Sequence, residues 1–183
     1  MTTFIERALG ELAAVLAKVD DGAIGQAVTR IRQSRRIALY GVGREGLQIK
    51  GFAMRLYHLG LSASVVGDMT TPPLGSGDML IVSAGPGRFS TVEALLVTAR
   101  RAGAATLCLT AQPGGACAVM ADQVVVVPAQ TMADNPVAGG SVLPMGSLYE
   151  GALYLLFESM VARLQQALRL SDTAMAANHT NLE

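Results

Sequence analysis

The sequence predicts an α/β fold, a three-layer sandwich built around a five-stranded parallel sheet. Five short apolar runs, near 36–41, 62–66, 79–83, 105–110 and 123–127, lack polar alternation, as strands covered on both faces require. Helix-periodic segments lie between most of them, in the strand–helix order of a parallel sheet. The first run ends in a glycine-rich turn, Gly41-Val42-Gly43-Arg44-Glu45-Gly46, followed at once by a helical pattern.

Each element follows from local chemistry. Phe4 to Val19 carries apolar residues at helical spacing and stops at Asp20-Asp21-Gly22; Ala23 to Gln33 continues as a second short helix. Together they form an N-terminal arm over about 1–33. Helices are predicted over 45–59 and 91–102, the latter opened by a Ser90/Glu93 capping-box pattern, with a short helical turn near 115–121. Residues 128–145, from Pro128 to beyond Pro144, are too irregular for regular structure and too long for a plain connection, which points to a role at the active site. A long helix is predicted from about Gly146 to Leu170. The tail, about 171–183, is short and polar, with room for a turn of helix. No repeat or linker divides the chain, so residues 1–183 are read as one domain.

Composition limits the function classes. At 183 residues with 51% hydrophobic and 15% charged residues, the chain can bury a substantial core. So few charges would leave apolar patches wet on a monomer, which favours an oligomer. A formal net charge of zero gives nucleic acid no global attraction. The longest uncharged stretch, Ala102 to Ala121, is broken by Gln-Pro-Gly-Gly, so no membrane span is expected. The opening Met-Thr-Thr-Phe-Ile-Glu-Arg lacks a signal peptide's basic region, and a cytoplasmic location is expected. Cys108 and Cys117 form no metal-binding spacing and read as two core thiols.

The glycine turn admits three ligand readings. Backbone N–H groups at the start of the following helix suit a phosphate. Gly41-x-Gly43-x-x-Gly46 also matches a dinucleotide fingerprint, with Asp68 about twenty residues further on. A tight strand–helix turn needs glycine for steric reasons alone. Ser83, Ser90 and Thr91 add hydroxyl and backbone donors near a second helix start, although Ser90 serves equally as an N-cap.

The neighbouring residues favour a sugar phosphate. Gly41-Val-Gly-Arg-Glu-Gly, Phe52-Ala-Met-Arg-Leu-Tyr-His-Leu-Gly60, Val66-Gly67-Asp68 leading to Thr71-Pro72, Pro144-Met-Gly-Ser-Leu-Tyr-Glu150 and the ending Asn178-His179-Thr-Asn-Leu-Glu183 together resemble the sugar isomerase (SIS) domain family, specifically its 6-phospho-3-hexuloisomerases. The resemblance spans nearly the whole chain, and the Phe52–Gly60 block is its specific part. It implies a flavodoxin-like parallel sheet, a homotetramer, no metal and no redox cofactor. The implied reaction interconverts D-arabino-3-hexulose 6-phosphate and fructose 6-phosphate, an intramolecular oxidoreduction. A sugar-phosphate-binding or regulatory module without catalysis is the alternative on the same fold.

Two segments depart from the family pattern. Ser83-Ala84-Gly85-Pro86-Gly87-Arg88-Phe89-Ser90-Thr91 stands where the family has Ser-Gly-Ser-Gly-Glu-Thr, and Glu45 stands where the first loop usually has serine. Either Arg88 pairs the phosphate or Glu45, or the substrate is altered. Gly43, Glu45, Ser83, Gly87, Arg88, Ser90 and Thr91 are the implied substrate- or phosphate-binding set.

Moving a ketone from C3 to C2 needs a base for the C2 proton, partners for the oxygen-bound protons, and stabilisation of an enediolate. By the resemblance, Glu150 is the base; as a helix-start carboxylate it is also favoured by the helix dipole. Arg44 is the candidate clamp on substrate or enediolate. His58 and His179, the two histidines of the chain, have the ordinary pKa range for proton transfer or ring opening, and either also fits a hydrogen-bonded structural role. Arg55 lies three residues before His58 on a similar helix face, as a site residue or an interface charge.

Overall fold

The computed structural model describes residues 3–134 and 140–182. Its strands are Ile37–Gly41 (β1), Ala63–Val65 (β2), Met79–Ser83 (β3), Ala105–Thr110 (β4) and Gln123–Val126 (β5). All neighbouring strands pair in parallel, in the order β2-β1-β3-β4-β5. The helices are Phe4–Leu16 (α1), Asp21–Gln33 (α2), Gly43–His58 (α3), Ser90–Arg101 (α4), Ala116–Met120 (α5), Ser147–Leu168 (α6) and Asp172–Ala177 (α7).

The apolar runs are strands because both of their faces are covered. Ile37, Leu39, Ile81, Leu107 and Leu109 point to a core shared with α2, α3 and α6. Ala38, Leu80, Val82 and Cys108 point to the opposite core, under α4 and α5. Ile81 is fully buried, so Ile81→Ala would cost about 2–5 kcal/mol through lost burial and the cavity left behind. Phe52 of α3 stacks on Phe157 of α6, ring centroids 4.3 Å apart, and fixes these two helices side by side.

Several local expectations change. α3 starts at Gly43 rather than 45, which brings Glu45 into its first turn. Ser90 and Glu93 form no capping box: Phe89 is the N-cap of α4 without a side-chain cap bond, and Glu93 pairs with Arg88. A capping box does form at α1, where Thr3 accepts from the Glu6 N–H and Glu6 accepts from the Thr3 N–H. α1 ends at Leu16, three residues before Val19, and the tail contains α7. Part of the predicted 128–145 loop, residues 135–139, lies outside the described residues.

Connectivity positions the site. The chain leaves β1 into α3 on one face of the sheet and leaves β3 into α4 on the other. Between β1 and β3 the crossovers therefore diverge, opening a crevice at the carboxyl ends of the strands, where open α/β sheets bind ligands. α3 then descends to the opposite end of the sheet. Arg44 and His58, fourteen residues apart on this helix, are separated by about 21 Å at 1.5 Å per residue.

Candidate active site

The crevice is built from two close backbone approaches. Gly41 and Gly46 touch so closely that a Cβ on Gly46 would lie 2.6 Å from the Gly41 carbonyl oxygen, and Gly43 adopts a left-handed φ of +57°. Glycine at these positions lets α3 begin directly against the end of β1. Across the crevice, the Ala84 N–H donates to the Leu109 carbonyl and the Ala111 N–H to the Gly85 carbonyl, tying the segment after β3 to the end of β4.

Glu45 turns from α3 into this crevice. Its Oε2 accepts a 2.6 Å bond from the Ser83 hydroxyl and a 2.9 Å bond from the Gly85 N–H. The Tyr149 hydroxyl lies 3.3 Å from Ser83 Oγ and extends the network to α6. Burial raises the Glu45 pKa above its ordinary value, while the bonds from Ser83 and Gly85 oppose the rise. Burial also pushes the Tyr149 phenol well up, helped by the charge of Glu45, so the phenol stays protonated.

Arg44 turns the other way, toward the start of α6. Its Nε lies 3.1 Å from Glu150 Oε1, Nη1 donates to Ser147 Oγ at 3.2 Å, and Nη2 donates to the Met145 carbonyl. Glu150 keeps 13% of its side chain exposed, beside an arginine that is 47% exposed. Burial raises its pKa; Arg44 pulls it back, and Glu45 adds to the rise. A carboxylate at the crevice mouth with a raised pKa and a guanidinium beside it has the equipment of a general base with an electrophilic partner.

The other predicted residues divide. Ser83 and Glu45 meet in the crevice at the ends of the neighbouring strands β1 and β3. Ser90 and Thr91 lie exposed in the first turn of α4, where backbone N–H groups lack intrahelical partners. Arg88 pairs with Glu93 at 3.0 Å, not with Glu45, and its side chain is 74% exposed. Gly87 is a backbone device: its N–H donates to Ala84, its carbonyl accepts from Cys117, and its Cα packs on Gly115. His58 lies at the far end of α3, buried, with its ring 5.1 Å from that of His179 and its carbonyl accepting from Asn178. Within one chain the two histidines thus sit together but away from Glu150. Arg55 pairs with Glu158 of α6 at 3.0 Å, an inter-helix tie. Asp68 is exposed beyond β2, and Cys108 and Cys117 are buried thiols, Cys108 with its pKa pushed up to about 12 by burial. No group of metal-ligating side chains occurs among the described residues.

Tyr149, Ser147, Met145 and Gly85 escaped the sequence reading. For Met145, Ser147 and Tyr149 the available signal is their place in the segment 144–150 beside Glu150, and for Gly85 its place two residues after Ser83. A cavity of about 650 Å³ lies farther along the same rim, at the ends of β4 and β5, bounded by Gln112, Gln130 and Leu148.

Comparison with known proteins adds sequence and structural relatives. No family model matches the chain. The chain is 36% identical over 176 residues to the 3-hexulose-6-phosphate isomerase of Mycobacterium gastri, covering 94% of this chain and 86% of that protein. It is 31% identical over 182 residues to the enzyme of the same name from Bacillus subtilis (strain 168), covering 100% and 98%. Its structure superposes on that of a Methanococcus jannaschii hypothetical protein, inferred to be a 3-hexulose-6-phosphate isomerase, with a TM-score of 0.85 at 25% identity and 98% coverage of both chains.

Proposed function

We infer the chemistry of the crevice from family membership: the chain belongs to the 3-hexulose-6-phosphate isomerases and has the sugar isomerase (SIS) domain fold. It is an isomerase acting on a sugar phosphate, interconverting 3-hexulose 6-phosphate and fructose 6-phosphate. In the proposed mechanism Glu150 takes the C2 proton of the 3-ketose, an enediolate forms across C2 and C3 with its negative charge on O3, the O2 hydroxyl proton passes to O3, and Glu150 returns its proton to C3 as the carbonyl forms at C2. Arg44, already at 3.1 Å from Glu150, would leave its carboxylate partner to meet the developing oxyanion. The substrate phosphate would rest on the first turn of α4, against the Ser90 and Thr91 donors, within reach of Arg88.

The Arg44–Glu150 pair at the divergence of β1 and β3 carries this reading. It is tested by supplying 3-hexulose 6-phosphate to the purified protein and following fructose 6-phosphate with a coupled assay. Turnover that disappears in Glu150→Gln supports the assignment; full turnover in that variant removes Glu150 from it.

A cytoplasmic homotetramer of single-domain chains belongs to the same proposal. Leu47, Met54, Tyr57, Tyr154 and Leu155 expose apolar surface on α3 and α6, and Phe4, Ile5 and Leu9 do so on α1. The distance from His58 to Arg44 means that His58 and His179 could join a Glu150 only from a second copy. Light scattering tests the assembly, a monomer at micromolar concentration refuting it. Mixing inactive Glu150→Gln and His58→Gln chains tests the shared site, since subunit exchange would restore activity only if the two residues act across copies.

A further inference from the structure

Glu45 is an acidic side chain placed where an anionic ligand would be expected. The crevice offers inward-facing donors from the end of β3, the Ser83 hydroxyl and the Gly85 N–H, and both already point at one carboxylate oxygen of Glu45, at 2.6 and 2.9 Å. Gly85 is shaped for this contact: a Cβ there would fall 2.8 Å from Glu45 Oε1 and 2.8 Å from the Tyr149 ring. Ser83 is completely buried and Glu45 is 5% exposed, so this is an interior arrangement and no solvated surface contact.

Among the described residues no cation pairs with this carboxyl group. Arg44, next to it in sequence, is committed to Glu150, Ser147 and Met145, and Arg88 is committed to Glu93. Among the described residues Glu45 makes no salt bridge. The groups that face it electrostatically are Cys108 from β4, Cys117 from α5, and Tyr149 and Glu150 from α6. None is a cation. An uncompensated buried charge is costly, so a site that holds one solely through hydrogen bonds is poised against a second anion.

We propose that Glu45 is a specificity-determining residue: a built-in carboxylate that occupies the Ser83–Gly85 donor cradle, keeps phosphate out of it and thereby weakens the hold of the crevice on anionic ligands. This deepens the sugar-phosphate reading and rests on it. The substrate phosphate is displaced toward the first turn of α4, while the cradle stays closed to dianions.

The test measures inorganic phosphate binding by titration calorimetry at pH 7.5 for the wild-type chain, Glu45→Ser and Glu45→Gln. Serine removes both the charge and the occupying group; glutamine removes the charge and keeps the shape. Glu45→Ser should bind phosphate at least about tenfold more tightly than wild type, Glu45→Gln should fall between them, and adding Ser83→Ala to Glu45→Ser should abolish most of the gain. Circular dichroism confirms folding, and if Glu45→Ser fails to fold, Glu45→Gln decides the matter alone. Phosphate affinity unchanged or weakened in every folded Glu45 variant overturns the proposal, as does a gain that Ser83→Ala leaves intact. Wild-type turnover of 3-hexulose 6-phosphate is measured beside it. Turnover without the affinity gain overturns the role of Glu45 alone, whereas the gain without turnover overturns the isomerase reading of the crevice.

Discussion

Helices α3 and α6 both open with a carboxylate in the first turn, yet the two acids occupy opposite environments. Glu45 turns inward onto β3 and is held by a hydroxyl and a backbone N–H, with no cation paired to it among the described residues. Glu150 stays at the crevice mouth and is held by Arg44. The same residue type at the same kind of helix position thus becomes a fixed internal carboxyl group in one case and a proton-transfer candidate in the other. Neighbours decide the role, because hydrogen bonds without a counter-charge immobilise a carboxylate, while an exchangeable ion pair leaves it able to meet a substrate.

The sharpest way to break this contrast is at Glu150. Glu150→Gln should lower kcat by about a hundredfold or more while leaving fructose 6-phosphate binding in place, since glutamine keeps the shape and removes the base. Steady-state kinetics and calorimetry check the two halves. Near-normal kcat would make the two helix starts alike in being structural.

Removing the partner should act next. Arg44→Ala takes away the charge that holds the Glu150 pKa down, so the acidic limb of kcat/KM should move to higher pH. The maximum should also fall by about tenfold or more as the clamp on the developing oxyanion is lost. An unmoved acidic limb would mean that Glu150 is not the group titrating in that profile.

Ligand linkage gives a smaller effect. Fructose 6-phosphate at about 100 times its Kd should stabilise the protein by ~2.7 kcal/mol and raise its Tm by several degrees, whereas NAD should leave it unchanged. A shift with NAD alone would return the glycine turn to the dinucleotide reading.

The smallest expected effect belongs to Glu45. Its folded-state pKa is raised above the ordinary 4.5, so the folded chain holds that proton more tightly than the unfolded chain. Stability then falls as pH rises from about 4.5 toward the raised value, because the unfolded state releases the proton first. Compared with Glu45→Gln, the wild type should lose Tm across that window, and melting curves at successive pH values read the difference. Parallel curves would mean that Glu45 titrates alike in the folded and unfolded chains.

Much of this was already present as pattern in the chain. The absence of polar alternation in Leu80-Ile81-Val82 and Val124–Val127 announces a sheet covered on both faces, because strands with a wet face require polar residues there. The turn from Gly41 to Gly46 marks a strand–helix junction with a close backbone approach, because glycine alone fits it. The blocks at 52–60 and 144–150 carried the family. Residue identity fixed these things since each depends on a residue and its near neighbours along the chain.

Direction and pairing were decided by tertiary structure. Nothing local tells that Glu45 reaches Ser83 and Gly85, that Arg88 prefers Glu93, or that Arg44 joins Met145, Ser147 and Glu150, more than a hundred residues away in sequence. Nor does it tell that His58 and His179, at sites separated by most of the chain, come within 5.1 Å of one another while Arg44 and His58 are held apart by one rigid helix. Sequence by itself determined the periodicities, turns and chemical groups; only the divergence of the chain after β1 and β3 into helical layers on opposite faces of the sheet decided which of those groups share a crevice, because contacts between distant segments exist only once the sheet has brought them together.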